Sequence, residues 1–210
     1  MLVVCAGTAT EVGKTYVGAA VLRELRARGR TVAARKPAQS FDPADAGPLD
    51  AEVLAGATGE AADDVCPTAR TYAVAMAPPM AADALGRPVP ALWDLLAELR
   101  WPDPTPEVRW LETVGGPRSP LASDGDAVDL VAALDPDRVV LVADAGLGTI
   151  NAVLLSRDAF RAVGHDVVVL LNRFDDGDDL HRRNAEWLRG HGALVVASPV
   201  ALVDLLEATG

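Results

Sequence analysis

Positive charge is scarce in this sequence. Nineteen Lys plus Arg face thirty Asp plus Glu, a net charge of -11. That balance repels phosphate backbones and anionic membrane surfaces, which argues against nucleic acid or a membrane as partner. No run of about 18 uninterrupted apolar residues is present. Met1 to Thr8 also lacks the basic region that precedes the apolar stretch of a secretory signal, so a cytoplasmic location is expected. The two cysteines, Cys5 in an apolar strand and Cys66 in a loop, have neither C-x-x-C spacing nor the pattern of a disulfide framework, and thiolate metal ligation is not expected. The three histidines, His165, His181 and His191, form no ligand pair at helical spacing with one another or with Cys. They are expected at surface or cap positions.

What is present is a foldable core. Half of the 210 residues are hydrophobic and 23% are charged, far from the composition of a disordered segment, and the length suits one domain over residues 1–210. Short apolar runs alternate with helical patterns: Leu2 to Ala6, Thr31 to Arg35, Val108 to Leu111, Val139 to Ala143, Val167 to Leu171 and Leu194 to Ala197. The last three are nearly continuous in Val, Leu and Ala, as in parallel strands covered on both faces. The expected fold is α/β, a doubly wound, mostly parallel sheet with helices on both faces. Helices are predicted over Lys14 to Ala27, Leu49 to Ala57, Pro90 to Leu99, Asn151 to Val163, with Asn151 or Thr149 as cap, and His181 to His191. Pro78, Pro79 and Pro88 are read as breaks in the middle of the chain.

Only two lysines occur, Lys14 and Lys36, against seventeen arginines. A compact ammonium serves phosphate as a point charge, so both positions draw attention. Lys14 lies in Gly7-Thr8-Ala9-Thr10-Glu11-Val12-Gly13-Lys14-Thr15, directly after the first apolar strand and at the start of the first amphipathic helix. That context is the one a phosphate-binding loop requires. Backbone N–H groups and the helix dipole attract the anion, Lys14 reaches the outer phosphates, and the Thr15 hydroxyl can bind magnesium. The loop has one residue more between its glycines than the common G-x-x-x-x-G-K-[ST] pattern.

With that longer loop, G-T-x-T-E-V-G-K-T resembles the nucleotide loop of the dethiobiotin synthetase family, a branch of the P-loop NTPases. The resemblance extends to Lys36-Pro37-Ala38-Gln39-Ser40, similar to the K-P-x-x-S/T segment whose lysine contacts the substrate's reacting groups and the γ-phosphate. It implies that Thr15, Asp50 and Glu112 bind magnesium, and that Gly148-Thr149-Ile150-Asn151 opens a helix at a homodimer interface and binds the substrate carboxylate. It further implies that Asn172 reads adenine and that Ser198-Pro199-Val200 forms the loop on the other side of the base. ATP and magnesium are then the cofactors. The substrates are 7,8-diaminononanoate and carbon dioxide, and the reaction closes a cyclic urea through a carbamate and a carbamic-phosphoric anhydride, with Lys14, Lys36 and Glu11 as catalytic candidates.

Plainer roles stay open for several of these residues. Lys36 could be a solvated strand-end lysine, Asp50 a helix cap, Asn151 and Asn172 caps or turn residues, and Glu11 an acid favoured by the helix dipole. Glu112, between an apolar strand and Gly115-Gly116, needs a cation partner if buried. The sequence also departs from the family pattern at Ala9, Phe41, Thr113, Val114 and Ala152. These changes gather around the substrate pocket. A paralogue with another substrate, or with a non-catalytic nucleotide-binding role, is therefore a second reading, and a ParA/MinD-type switch ATPase a third.

Overall fold

The computed structural model describes residues 1–208. The chain begins with strand β1 (Leu2–Gly7), helix α1 (Lys14–Ala27), β2 (Val32–Arg35) and the short β3 (Gln39–Ser40). Helices α2 (Asp50–Thr58) and α3 (Ala62–Val65), strand β4 (Thr71–Tyr72), and helices α4 (Pro78–Ala84) and α5 (Leu92–Glu98) follow. The second half alternates regularly: β5 (Val108–Glu112), α6 (Ala127–Leu134), β6 (Arg138–Asp144), α7 (Thr149–Arg161), β7 (Val167–Asn172), α8 (Asp179–Gly190), β8 (Leu194–Val196) and α9 (Pro199–Ala208). Six strands form one sheet in the order β2-β5-β1-β6-β7-β8, every pairing parallel, and β3 and β4 pair separately.

Alternation along β1 shows why helices must cover both faces. Leu2, Val4 and Ala6 join a core with Phe160 of α7, Leu95 of α5 and Leu130 of α6. Val3 and Cys5 point the other way, into a core with Val17 and Leu22 of α1, Leu54 of α2 and Leu202 of α9. Helix α1 lies close to the sheet because Gly18 has no side chain: a Cβ there would stand 2.8 Å from Trp110 Nε1. Its apolar face buries Val17, Val21 and Leu25, while Arg23, Arg26 and Arg28 are exposed.

Parallel order brings the carboxyl ends of all six strands to one edge. Chain connections run from β1 toward β2 and β5 on one side and from β6 toward β7 and β8 on the other. The reversal lies beside β1, where an open α/β sheet leaves a crevice.

Several local expectations are corrected. Pro78 and Pro79 start α4 instead of breaking structure, since the first helical turn tolerates the missing N–H. Helices α3, α4, α6 and α9 were not anticipated. The cap of α7 is Gly148, with φ 93° and no side-chain bond, so neither Thr149 nor Asn151 caps that helix. Ser198-Pro199-Val200 is a helix start, not a free loop: Pro199 is the first residue of α9, and the Ser198 hydroxyl accepts from the Ala201 N–H at 3.2 Å.

Candidate functional site

The site residues come from strand ends. Gly7 closes β1, Lys36 follows β2, Glu112 closes β5 and Asn172 closes β7, all on the carboxyl edge of the sheet. The register sets Cys5 beside Glu112 and Arg35 beside Leu111, which brings Lys36, the residue after Arg35, level with Glu112, the residue after Leu111. A cavity of about 820 Å³ opens over this edge, with Thr10, Glu11, Lys14, Thr15, Lys36, Ser40 and Asp50 on its walls. Phe41 and Val114 line it too. Thr113 is fully buried instead, its hydroxyl donating to the Cys5 carbonyl at 3.3 Å.

Lys14 begins α1, and its ammonium donates to the carbonyls of Ala9 (3.1 Å) and Gly115 (3.0 Å), so it spans the loop from inside. Burial, reinforced by repulsion from Lys36, lowers its pKa. Gly13 takes φ 92°, and a Cβ there would sit 2.2 Å from Asn172 Nδ2. No other residue type satisfies both the left-handed backbone and that approach.

Beneath the loop lies a charge cluster. The Lys36 ammonium, 3% exposed at the side chain, bonds Glu112 Oε1 at 2.6 Å and Asp50 Oδ2 at 2.8 Å. Burial alone would push the lysine toward neutrality, but Glu112 and Asp50 outweigh it and hold its pKa above the ordinary value. Asp50 is likewise partly desolvated, yet Lys36 and the Thr15 hydroxyl keep it below the usual carboxylate range. Lys36 is thus no solvated strand-end lysine. Asp50 is the first residue of α2 and faces this cluster, so the cap reading falls.

The Thr15 hydroxyl stands 2.8 Å from Asp50 Oδ1 and 2.8 Å from Glu112 Oε1, and its single proton can serve one of them at a time. Glu112 Oε2 is buried with no hydrogen-bond partner among the described residues. A buried, half-unpaired carboxylate is costly, and one hydroxyl between two carboxylates leaves oxygen lone pairs converging on one place. This donor set fits magnesium, which takes one or two carboxylates and completes its shell with water and phosphate oxygens. Among the described residues no group of three or more His, Cys, Asp or Glu gathers around a common point. The third protein oxygen here is a hydroxyl.

Other expected residues sit at the margin. Glu11 is exposed, with φ 61°, three residues before α1 begins. Asn172 lies behind the loop and donates through Nδ2 to the Val12 carbonyl at 3.0 Å. Gly148 to Asn151, at the start of α7, and Ser198 to Val200, at the start of α9, lie off the cavity within this chain. Thr149 Oγ1 is buried with no partner among the described residues.

Two residues were missed. Gln39 is buried and braces the start of α2, accepting from the Ala51 N–H at 3.1 Å and donating to Thr71 Oγ1 at 3.1 Å. Its place between Lys36-Pro37 and Ser40 was the available clue. Arg173 lines the cavity and reaches the Glu11 carbonyl at 3.0 Å. Only its adjacency to Asn172 hinted at this. No helix among the described residues is long and apolar enough to cross a membrane.

Comparisons with known proteins agree with this geometry. A family model described as an AAA domain matches residues 2–204. An ATP-dependent dethiobiotin synthetase of Caulobacter vibrioides is 35% identical over 226 aligned positions, covering 97% of each chain. One from Haloferax mediterranei is 39% identical, covering 87% of this chain and 76% of that one. Among solved structures, a plasmid partition protein of Borrelia burgdorferi bound to AMPPNP superposes with a TM-score of 0.55 at 13% identity, covering 94% of this chain and 85% of that chain. The signal recognition particle receptor of Elizabethkingia anophelis gives 0.51 at 15% identity over 93% of this chain, which spans 56% of the receptor. At such identities these two structures speak for the fold alone. The family model over residues 2–204 and relatives 35–39% identical over most of their length show that the chain belongs to the ATP-dependent dethiobiotin synthetase family.

Proposed function

We propose that this protein is an ATP-dependent ligase that carboxylates 7,8-diaminononanoate and closes it to dethiobiotin, a step of biotin synthesis. The observation that carries the reading is the Lys36, Asp50, Glu112 and Thr15 cluster beneath a loop with Lys14 at its centre. One substrate amine takes up carbon dioxide as a carbamate. A carbamate is a weak electrophile, so its oxygen attacks the γ-phosphorus of ATP and ADP leaves. The second amine then attacks the carbonyl of the mixed anhydride, phosphate departs, and the ring closes with loss of a proton.

The chain's own contribution is position and charge. Lys14 and Lys36 face oxygens on which negative charge builds during phosphoryl transfer. Thr15, Asp50 and Glu112 would hold magnesium, which when bound neutralises charge on the phosphates. Lys36 is held charged by the two carboxylates, so it acts as an electrostatic donor and not as a base. Glu11, exposed on the rim, would orient the substrate amine. Asn172 would read adenine, with Ser198, Pro199 and Val200 on the other side of the base.

Gly148 to Asn151 would receive the substrate carboxylate in a homodimer. Two observations support that reading: the start of α7, whose cap Gly148 supplies no side-chain bond, with a Thr149 hydroxyl that has no partner among the described residues, and the exposed Leu147 (93%) and Leu155 (64%) nearby. The two free thiols agree with a reducing, cytoplasmic setting.

The test is incorporation of carbon-13 from labelled bicarbonate into a product of dethiobiotin mass, dependent on ATP and the diamine. Phe41 and Val114 on the cavity wall favour a second reading, the same nucleotide machinery serving another amine. Magnesium-dependent ATP binding without that product selects it.

A further inference from the structure

Two successive carbonyls of the phosphate loop are held from outside by two successive side chains. Asn172 Nδ2 donates to the Val12 carbonyl at 3.0 Å, and Arg173 Nη2 donates to the Glu11 carbonyl at 3.0 Å. Arg173 Nη1 meanwhile bonds Asp144 Oδ2 at 2.9 Å, at the end of β6. The other oxygen of Asp144 accepts from the Gly146 N–H at 2.8 Å. The fork of Arg173 is therefore fixed at both ends, and both Glu11 (φ 61°) and Arg173 (φ 56°) have left-handed backbone.

An anion cradle works only while its N–H groups face the anion, so the intervening carbonyls must point away. A carbonyl that turned inward would set its partial negative charge against the phosphates. Glu11 is exposed, and no regular secondary structure holds its peptide outward. Arg173 does. We propose that Arg173, anchored by Asp144, is a positioning residue for the nucleotide: it keeps the Glu11 carbonyl turned out and the loop in its anion-binding shape.

This deepens the ATP reading of the loop and rests on it. The Arg173 and Asp144 side chains are 61% and 48% exposed, and an exposed ion pair adds little to global stability. Nucleotide affinity and stability should therefore separate.

The experiment measures binding of magnesium-AMPPNP by calorimetry, KM for ATP and for diaminononanoate, and the melting temperature. Wild type is compared with Arg173→Ala, Arg173→Lys and Lys14→Ala. Arg173→Ala is expected to weaken nucleotide binding and raise the ATP KM about threefold to tenfold, the range for losing one such hydrogen bond. The diamine KM and the melting temperature stay near wild type, and Arg173→Lys recovers part of the loss. Wild-type affinity in Arg173→Ala, while Lys14→Ala loses binding, overturns the proposal and leaves the ATP reading standing. An equal rise in both KM values with a lowered melting temperature also overturns it, by making Arg173 a general structural residue. Failure of wild type to bind nucleotide removes the reading beneath it.

Discussion

Lys36 stands at the centre of the charge cluster. It is buried, charged, and bonded to two carboxylates, one of which is itself fully buried. Lys36→Ala should lower turnover about 100-fold or more, as loss of a charge-stabilising donor does, with a smaller change in ATP affinity. The same substitution leaves Glu112 without its cation, so in magnesium-free buffer urea unfolding should show a loss of about 3 kcal/mol. Gly13→Ala should abolish nucleotide binding, because its Cβ would meet Asn172 Nδ2 at 2.2 Å. Calorimetry with AMPPNP checks it. The thiols should be inert: burial pushes Cys66 up to about 11 and raises Cys5 well above the ordinary thiol range. Iodoacetamide at pH 8 should leave both unmodified in the native protein, and rapid alkylation of either would contradict their burial. The uniqueness of Lys14 and Lys36 was legible because composition alone singles them out. Arg173 was not, since one arginine among seventeen carries no mark and its partners lie 29 and 162 positions away.

Helix α7 packs Val153 and Phe160 into the core and is further tied to its neighbours by one buried arginine. Arg157 is 2% exposed, bonds Asp166 at 2.9 Å ahead of β7, and reaches the His191 and Gly192 carbonyls ahead of β8. Arg157, aided by Arg161 and the Val167 N–H, holds the Asp166 carboxyl well below the usual carboxylate range against partial desolvation. A carboxyl depressed in the folded state stabilises above its unfolded pKa of about 4 and loses that contribution as pH falls toward the folded value. Wild type should therefore be more urea-resistant than Asp166→Asn at pH 7, and the gap should narrow at pH 3. A gap that stays constant would show that the carboxylate charge is not what matters. All six main strands and the bounds of α1 were legible, because buried parallel strands are continuous apolar runs and α1 is amphipathic between a phosphate loop and Gly29. Helices α6 and α9 were not: Ala127–Leu134 and Pro199–Ala208 are short segments rich in Ala, Val and Leu, with Asp129 as the one charge of α6 and Asp204 and Glu207 as those of α9, and over so few residues periodicity does not separate them from strands. For α4 the prolines misled, since Pro reads as a break unless its place in the first turn is known.

For the whole molecule, parallel order is what turns scattered sequence positions into a site. Residues 14, 36, 50 and 112 converge because β1, β2 and β5 end on one edge and α2 returns over it. The start of α7 does not line this cavity, which is why the proposed homodimer matters: the exposed Leu155 of that helix should lie in the interface. Leu155→Glu should shift the sedimentation of the protein from dimer to monomer, and a wild type that sediments as a monomer would contradict that arrangement. The buried lysine and carboxylate cluster should drive ATP-dependent ring closure of a diamine. The most direct measurement is phosphate release from magnesium-ATP and bicarbonate, with and without diaminononanoate, in wild type and Lys36→Ala. Diamine-dependent release in wild type, and its near-complete loss in the variant, are the expected results. Release indifferent to the diamine, or retained at wild-type rate without Lys36, would contradict that role of the cluster.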